Sequence, residues 1–150
     1  MSIVLGDPPP GHVGDHYRAV GALVPAGLTV YYGGVPAAPT YPYVVLWGDL
    51  GNEVSGDDNG DALDDVVRGL SLRIRATCVA ANWDSLMITV SRVRAGLNRA
   101  TPYVAHWSPS RLKQSSLLDA QPDRDYVIPG TKNNPYYAVD EYALVSERTN

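Results

Sequence analysis

Apolar and polar positions alternate along this chain with two distinct periods. Val13, Tyr17, Val20 and Val24 recur at i, i+4, i+7 and i+11, one stripe of an amphipathic helix that Pro25 and Gly27 end. Leu28–Tyr32 then reads as a strand, Gly33-Gly34-Val35-Pro36 as a turn, and Tyr41–Trp47 as a second strand. That second strand is apolar at both parities, so both of its faces should be covered, one by helices and the other by a neighbouring subunit. Leu70, Leu72, Ile74, Ala76 and Cys78 alternate with Ser71, Arg73, Arg75 and Thr77, the signature of a long strand with one buried and one polar face. A second helix follows, capped by Asn82 or Asp84. Its stripe is Leu86, Val90, Val93 and Leu97, and Ser85, Thr89, Arg92 and Asn98 face away. Arg94 and Arg99 lie toward its C-terminal end, where the helix dipole favours cations, and Thr101-Pro102 stops it.

The remaining stretches are irregular by pattern. Asp7-Pro8-Pro9-Pro10-Gly11 cannot be regular structure, and residues 1–12 are expected to be flexible. Residues 48–65 are rich in glycine and acid and read as a loop that is mobile in the free chain. Tyr103–Trp107 predicts a short strand, 108–135 an irregular segment, and Tyr136–Val145 a closing strand. Residues 1–150 thus predict a single α+β domain, a mostly antiparallel β-sheet with two α-helices packed on one face.

Composition narrows the function classes. The length of 150 residues suits one core, and no apolar run approaches the roughly 20 residues that span a bilayer, so no membrane partner is expected. The first residues lack a basic segment followed by a long apolar one, so no signal peptide is expected and synthesis in the cytoplasm is the default. Cys78, the one cysteine, sits on the apolar parity of its strand and reads as a core residue rather than a nucleophile. The net charge is −4, and Asp49, Glu53, Asp57, Asp58, Asp61, Asp64 and Asp65 fall in one stretch, which argues against a phosphate-gripping surface. Ten tyrosines, three tryptophans and no phenylalanine suit either a partly wet interface or a tyrosine-filled core.

No constellation for catalysis emerges, so no enzymatic activity, cofactor or metal is expected. His12 and His16 share a helix face, but no third ligand stands at a recognisable spacing. Asp57-Asp58-Asn59-Gly60-Asp61 looks slightly like a calcium loop, yet Arg68 stands where the closing Glu belongs. Asp140 and Glu141 are neighbours on a strand and point to opposite faces. Arg73 and Arg75 share a polar face and reach one patch, where the candidate partners are carboxylates, including those of an adjacent copy.

Tyr41–Leu46, then a Gly/Asp loop, then Leu72–Ala80, then a helix ending Ser91-Arg92-Val93-Arg94-Ala95-Gly96-Leu97, resembles in order and spacing the minor tail and tail terminator proteins of long-tailed phages of actinobacteria. Tyr136–Tyr142 is similar to that family's closing strand, and the resemblance spans most of residues 13–145. The stretch after the second helix varies in the family, and the proline-rich start is not diagnostic of it. The resemblance implies a virion protein of the tail or neck that forms a hexameric ring of identical copies, caps the tail tube protein and joins the head–tail connector or stopper. DNA would pass through the lumen without specific binding. It implies no catalytic residues. Asp57, Asp58, Asp61, Asp64, Asp65, Arg73 and Arg75 are then the candidate lumen or interface residues. Three other readings stand beside it: another neck protein such as the connector stopper, a metal-dependent small hydrolase using the acidic loop, and a cellular binding module.

Overall fold

The computed structural model describes residues 11–55 and 67–149, the side chains of 53–55, 67 and 68 excepted. The chain runs α1 (Gly11–Gly21), β1 (Thr29–Tyr32), β2 (Tyr43–Gly48), β3 (Asn52–Ser55), β4 (Val67–Ala80), α2 (Trp83–Leu97), β5 (Trp107–Pro109), β6 (Lys113–Pro122) and β7 (Tyr136–Arg148). All seven of these strands join one sheet, ordered β1-β2-β4-β7-β5, with β3 beside β4 and β6 beside β7. β1 and β2 are parallel and every other pairing is antiparallel. This is the α+β architecture the periodicity predicts.

The β4–β7 ladder is the spine, running from Gly69 opposite Glu147 to Ala80 opposite Tyr136. A residue's parity on β4 decides its face. Leu70, Leu72, Ile74, Ala76, Cys78 and Ala80 are buried and join Val44 and Leu46 of β2 and Ala138, Tyr142 and Leu144 of β7 in one core. Tyr17 and Val20 of α1 and Leu86, Val93 and Leu97 of α2 close that core, so both helices cover the same face. Burial pushes the Cys78 thiol up to about 12, which keeps it protonated at neutral pH.

Two close approaches depend on glycine. Gly48 ends β2 at φ +146°, and a Cβ there would meet the Arg73 carbonyl oxygen at 2.4 Å. A Cβ on Gly96 would sit 2.6 Å from the Leu23 carbonyl oxygen, so α2 can lie against the end of the 21–25 turn only with a bare backbone there.

Several local expectations are corrected. α1 begins at Gly11, so residues 11 and 12 are helical rather than part of a flexible start. The 48–65 stretch contains β3, held by backbone pairing to β4, a bond that leaves no apolar trace in the sequence. The strand expected at Tyr103–Trp107 is Trp107–Pro109, because His106 turns the chain at φ 68°. The segment 108–135 includes the ten-residue β6. Thr89 does not face away from the core: it is fully buried, and its hydroxyl donates to the Ser85 carbonyl at 2.7 Å, which satisfies it inside the helix. Val90 is half-buried where full burial was expected. Asn82, not Asp84, is the N-cap, its side-chain oxygen accepting from the Ser85 N–H at 2.8 Å.

Leu72 lies at the centre of the core and is fully buried. Leu72→Ala should cost about 3 kcal/mol and lower Tm by roughly 6–12 °C, whereas Ile88→Ala, on the exposed side of α2, should stay within about 0.5 kcal/mol. Thermal denaturation of the two variants beside the parent checks both values.

Candidate interaction surfaces

The two faces of Asp140-Glu141 organise the side-chain chemistry. Asp140 points to the helix face and takes a two-pronged contact from Arg94 of α2, Nε to Oδ2 at 2.7 Å and Nη2 to Oδ1 at 2.8 Å. The carboxylate is almost wholly buried, so the fork geometry fixes α2 over β7. Arg94 therefore serves a carboxylate of the sheet rather than the helix dipole alone. Glu141 points to the outer face and accepts from Arg75 Nε at 3.3 Å. The Arg75 guanidinium also lies 5.0 Å from the Trp47 ring centroid, and the Trp47 indole donates to Thr77 Oγ1 at 2.8 Å. Arg75 thus has a carboxylate partner within its own chain. Arg73, two positions earlier on β4, keeps its side chain exposed, while its backbone N–H donates to Asp49 Oδ1 at 3.1 Å. Asp57, Asp58, Asp61, Asp64 and Asp65 lie outside the described residues. Among the described residues no three His, Cys, Asp or Glu side chains stand close enough to hold a metal ion, and no helix is long and apolar enough to cross a membrane.

His12 and His16 are both engaged at the start of α1. His16 is fully buried; its Nδ1 donates to the His12 carbonyl at 2.6 Å and its Nε2 accepts from the Ser146 hydroxyl at 2.8 Å. That pattern fits the neutral imidazole with its proton on Nδ1. Trp107 packs against both rings, stacked on His12 at 5.7 Å and edge-on to His16 at 5.1 Å. The pair fastens the start of α1 to the β5–β7 end of the sheet.

Two surfaces at different places on the sheet have the character of binding sites. On the outer face, the turn after β1 and the loop after β6 wall a trough of about 520 Å³ lined by Tyr41, Tyr43, Tyr126, Tyr137, Pro39 and Asp123, among others. Tyr43 packs at 5.5 Å from Tyr31 and 5.3 Å from Tyr41. The loop carrying Tyr126 is tied down by its own bonds: Asn134 Nδ2 to the Tyr126 carbonyl at 2.5 Å, Ile128 N to Asn133 O at 2.9 Å, and Asp123 N to Pro135 O at 2.8 Å. Burial first, and the neighbouring Tyr41 next, push the Tyr43 hydroxyl up to about 12, so it stays a hydrogen-bond donor.

The second surface lies where α2 meets β6. Met87 of α2 is 52% exposed and Leu118 of β6 is 39% exposed. Met87, Val90 and Leu118 line a shallow cleft between the two elements. The outer side of β6 has no strand partner among the described residues, and its pairing with β7 is broken by register shifts around Leu118. Such bulges disfavour addition of a further strand, so this edge offers side chains rather than backbone. The periodicity did not announce this patch, because Leu117-Leu118 is a doublet with no repeat around it.

No protein-family model matches the chain, and no curated protein matches it. Among solved structures, a chain in the virion of a native gene transfer agent particle is similar, with 17% identity over 89% of this chain and 91% of that chain and a TM-score of 0.46. A likeness at that level assigns no role.

Burial lowers the His16 pKa below its ordinary value of 6.5, and the backbone bond to His12 offsets only part of that. The unfolded chain therefore binds the proton more readily. Stability from this group should be complete above about pH 6.5 and should fall as the pH drops from there toward the lowered folded value. Denaturation midpoints at pH 8, 6 and 5 should decline most steeply below pH 6.5, and His16→Gln should flatten that decline. An unchanged slope in the variant would contradict a neutral, buried His16.

Proposed function

We propose that this chain is a structural virion protein, the tail terminator of a long-tailed phage, which closes into a six-membered ring on the tail tube and joins it to the head–tail connector. The observation that carries the reading is the pair of exposed apolar side chains, Met87 of α2 and Leu118 of β6, that line the cleft where the two elements meet. Exposed apolar side chains gathered from two elements are the mark of an association surface. The patch and the tyrosine trough are unlike surfaces at separate places on the sheet. A copy that offers the first to one neighbour and a different surface to the other makes head-to-tail contacts, and such contacts close into rings when the rotation fits.

The resemblance in sequence supports the same reading. The segments that carry it contribute to β2, β4, α2 and β7, which form the core. The acidic balance suits a conduit. Six copies at −4 each give 6 × −4, about −24, and a lumen edged by Asp57, Asp58, Asp61, Asp64 and Asp65 would let DNA slide without adhering. Arg73, exposed on the outer face, is the candidate for a carboxylate of an adjacent copy, since Arg75 already holds Glu141. The role is structural, not catalytic.

Tail-tube assembly in vitro tests this. Pure protein added to growing tubes should stop elongation and be found at one tube end, and Met87→Glu with Leu118→Glu should abolish both effects while shifting fold stability by no more than about 1 kcal/mol. Replacing the five loop aspartates by Asn should leave capping intact and slow genome ejection from reconstituted virions. Protein that binds the connector but never the tube would instead identify a stopper, and metal-dependent hydrolysis lost with Asp57→Asn would identify an enzyme.

A further inference from the structure

We infer that the tyrosine-lined trough on the outer face receives the Pro8-Pro9-Pro10 segment of a neighbouring copy. The inference deepens the ring reading and rests on it in one respect, that copies of the chain associate.

The chemistry of the two partners is matched. Three consecutive prolines have φ fixed near −65° and no N–H to donate, so they favour an extended left-handed helix whose carbonyls look for donors outside it. Such a segment binds where flat aromatic rings pack against pyrrolidine rings and hydroxyls donate to the free carbonyls. The trough supplies both: Tyr41, Tyr43, Tyr126 and Tyr137 with walls of Pro36, Pro39 and Pro135, in about 520 Å³. Among the described residues, the one charged side chain lining the trough is Asp123. Like charge then sets the direction, with the Pro10 end toward Asp123 and Asp7 away from it.

Reach decides that the segment comes from another copy. Residues 8–10 lead directly into α1, which starts at Gly11 on the helix face, with His16 bonded to Ser146. The trough lies on the opposite face at the Tyr137 end of β7. Ser146 and Tyr137 are about 30 Å apart at about 3.3 Å per strand residue, whereas Pro8 can lie no more than about 11 Å from Gly11. A chain cannot fill its own trough with these prolines, but it can fill the next one, and that is a head-to-tail contact.

The test uses a synthetic peptide of residues 4–13 and the full chain carrying Pro8→Ser, Pro9→Ser and Pro10→Ser, which leaves the trough vacant. The peptide should perturb the ring resonances of Tyr41, Tyr43, Tyr126 and Tyr137. Tyr126→Ala, at a side chain on the trough rim, should weaken binding about tenfold, and a peptide with serines for the prolines should not bind. The triple Ser chain should also assemble at least tenfold less readily than the parent by light scattering. Peptide binding that is absent, or equal in Tyr126→Ala, overturns the inference. So does full assembly by the triple Ser chain; if Tyr126→Ala alone fails to assemble, the trough takes a different occupant. A parent chain that stays monomeric under all conditions while the peptide binds the trough would defeat the ring reading and leave the pairing of trough and prolines standing.

Discussion

The period-two alternation of β4, locked opposite β7, is the constraint on which the rest of the molecule depends. With Leu72, Ile74 and Ala76 committed to one face, Ser71, Arg73, Arg75 and Thr77 are committed to the other, and a one-residue slip would invert both. The apolar face then has room for two helices and draws both to the same side. β7 obeys the same rule, which is why adjacent acids serve opposite faces: Asp140 holds Arg94 of α2 over the core, and Glu141 holds Arg75 outside it. The helix layer is thus fastened by burial and by one forked ion pair. The outer face is left to carry polar and aromatic surface.

The legible parts of the sequence were those whose environment is asymmetric. β4, β7 and α2 each have one buried side, so their apolar residues repeat at 2 or 3.6 and their bounds come out nearly right. β6 was missed because Lys113–Pro122 borders solvent along most of its length and its pairing is interrupted by register shifts, so no period survives in the residues. β3 was missed because backbone pairing to β4 demands no particular side chains. Thr89 misled because its hydroxyl was counted as wanting water, while the Ser85 carbonyl one turn back satisfies it. Among the candidate site residues, Arg73 and Arg75 were correctly assigned to one face, but the Trp47 and Glu141 partners of Arg75 come from strands far away in sequence. The tyrosine trough is the same kind of case. Its four tyrosines come from β2, β7 and two loops, and only the register of the sheet brings them together.

This arrangement divides labour between the sheet's two faces in a way suited to assembly. The helix face is finished within one chain, apart from the Met87 and Leu118 patch at its β6 margin. The outer face carries an aromatic trough at one end and an exposed Arg73 farther along. Unlike, incomplete surfaces on one rigid body favour contacts that repeat by rotation over two-fold self-pairing, since a two-fold contact needs the same patch on both sides.

Imaging the purified chain by electron microscopy tests the central claim, head-to-tail closure of identical copies, most directly. The account predicts single closed rings with six-fold symmetry in top views, each copy placing its α2–β6 margin against a different surface of the next. Two-fold dimers joined through the same patch on both copies, open filaments, or particles that remain monomeric at concentrations well above those in an assembling phage tail would contradict it.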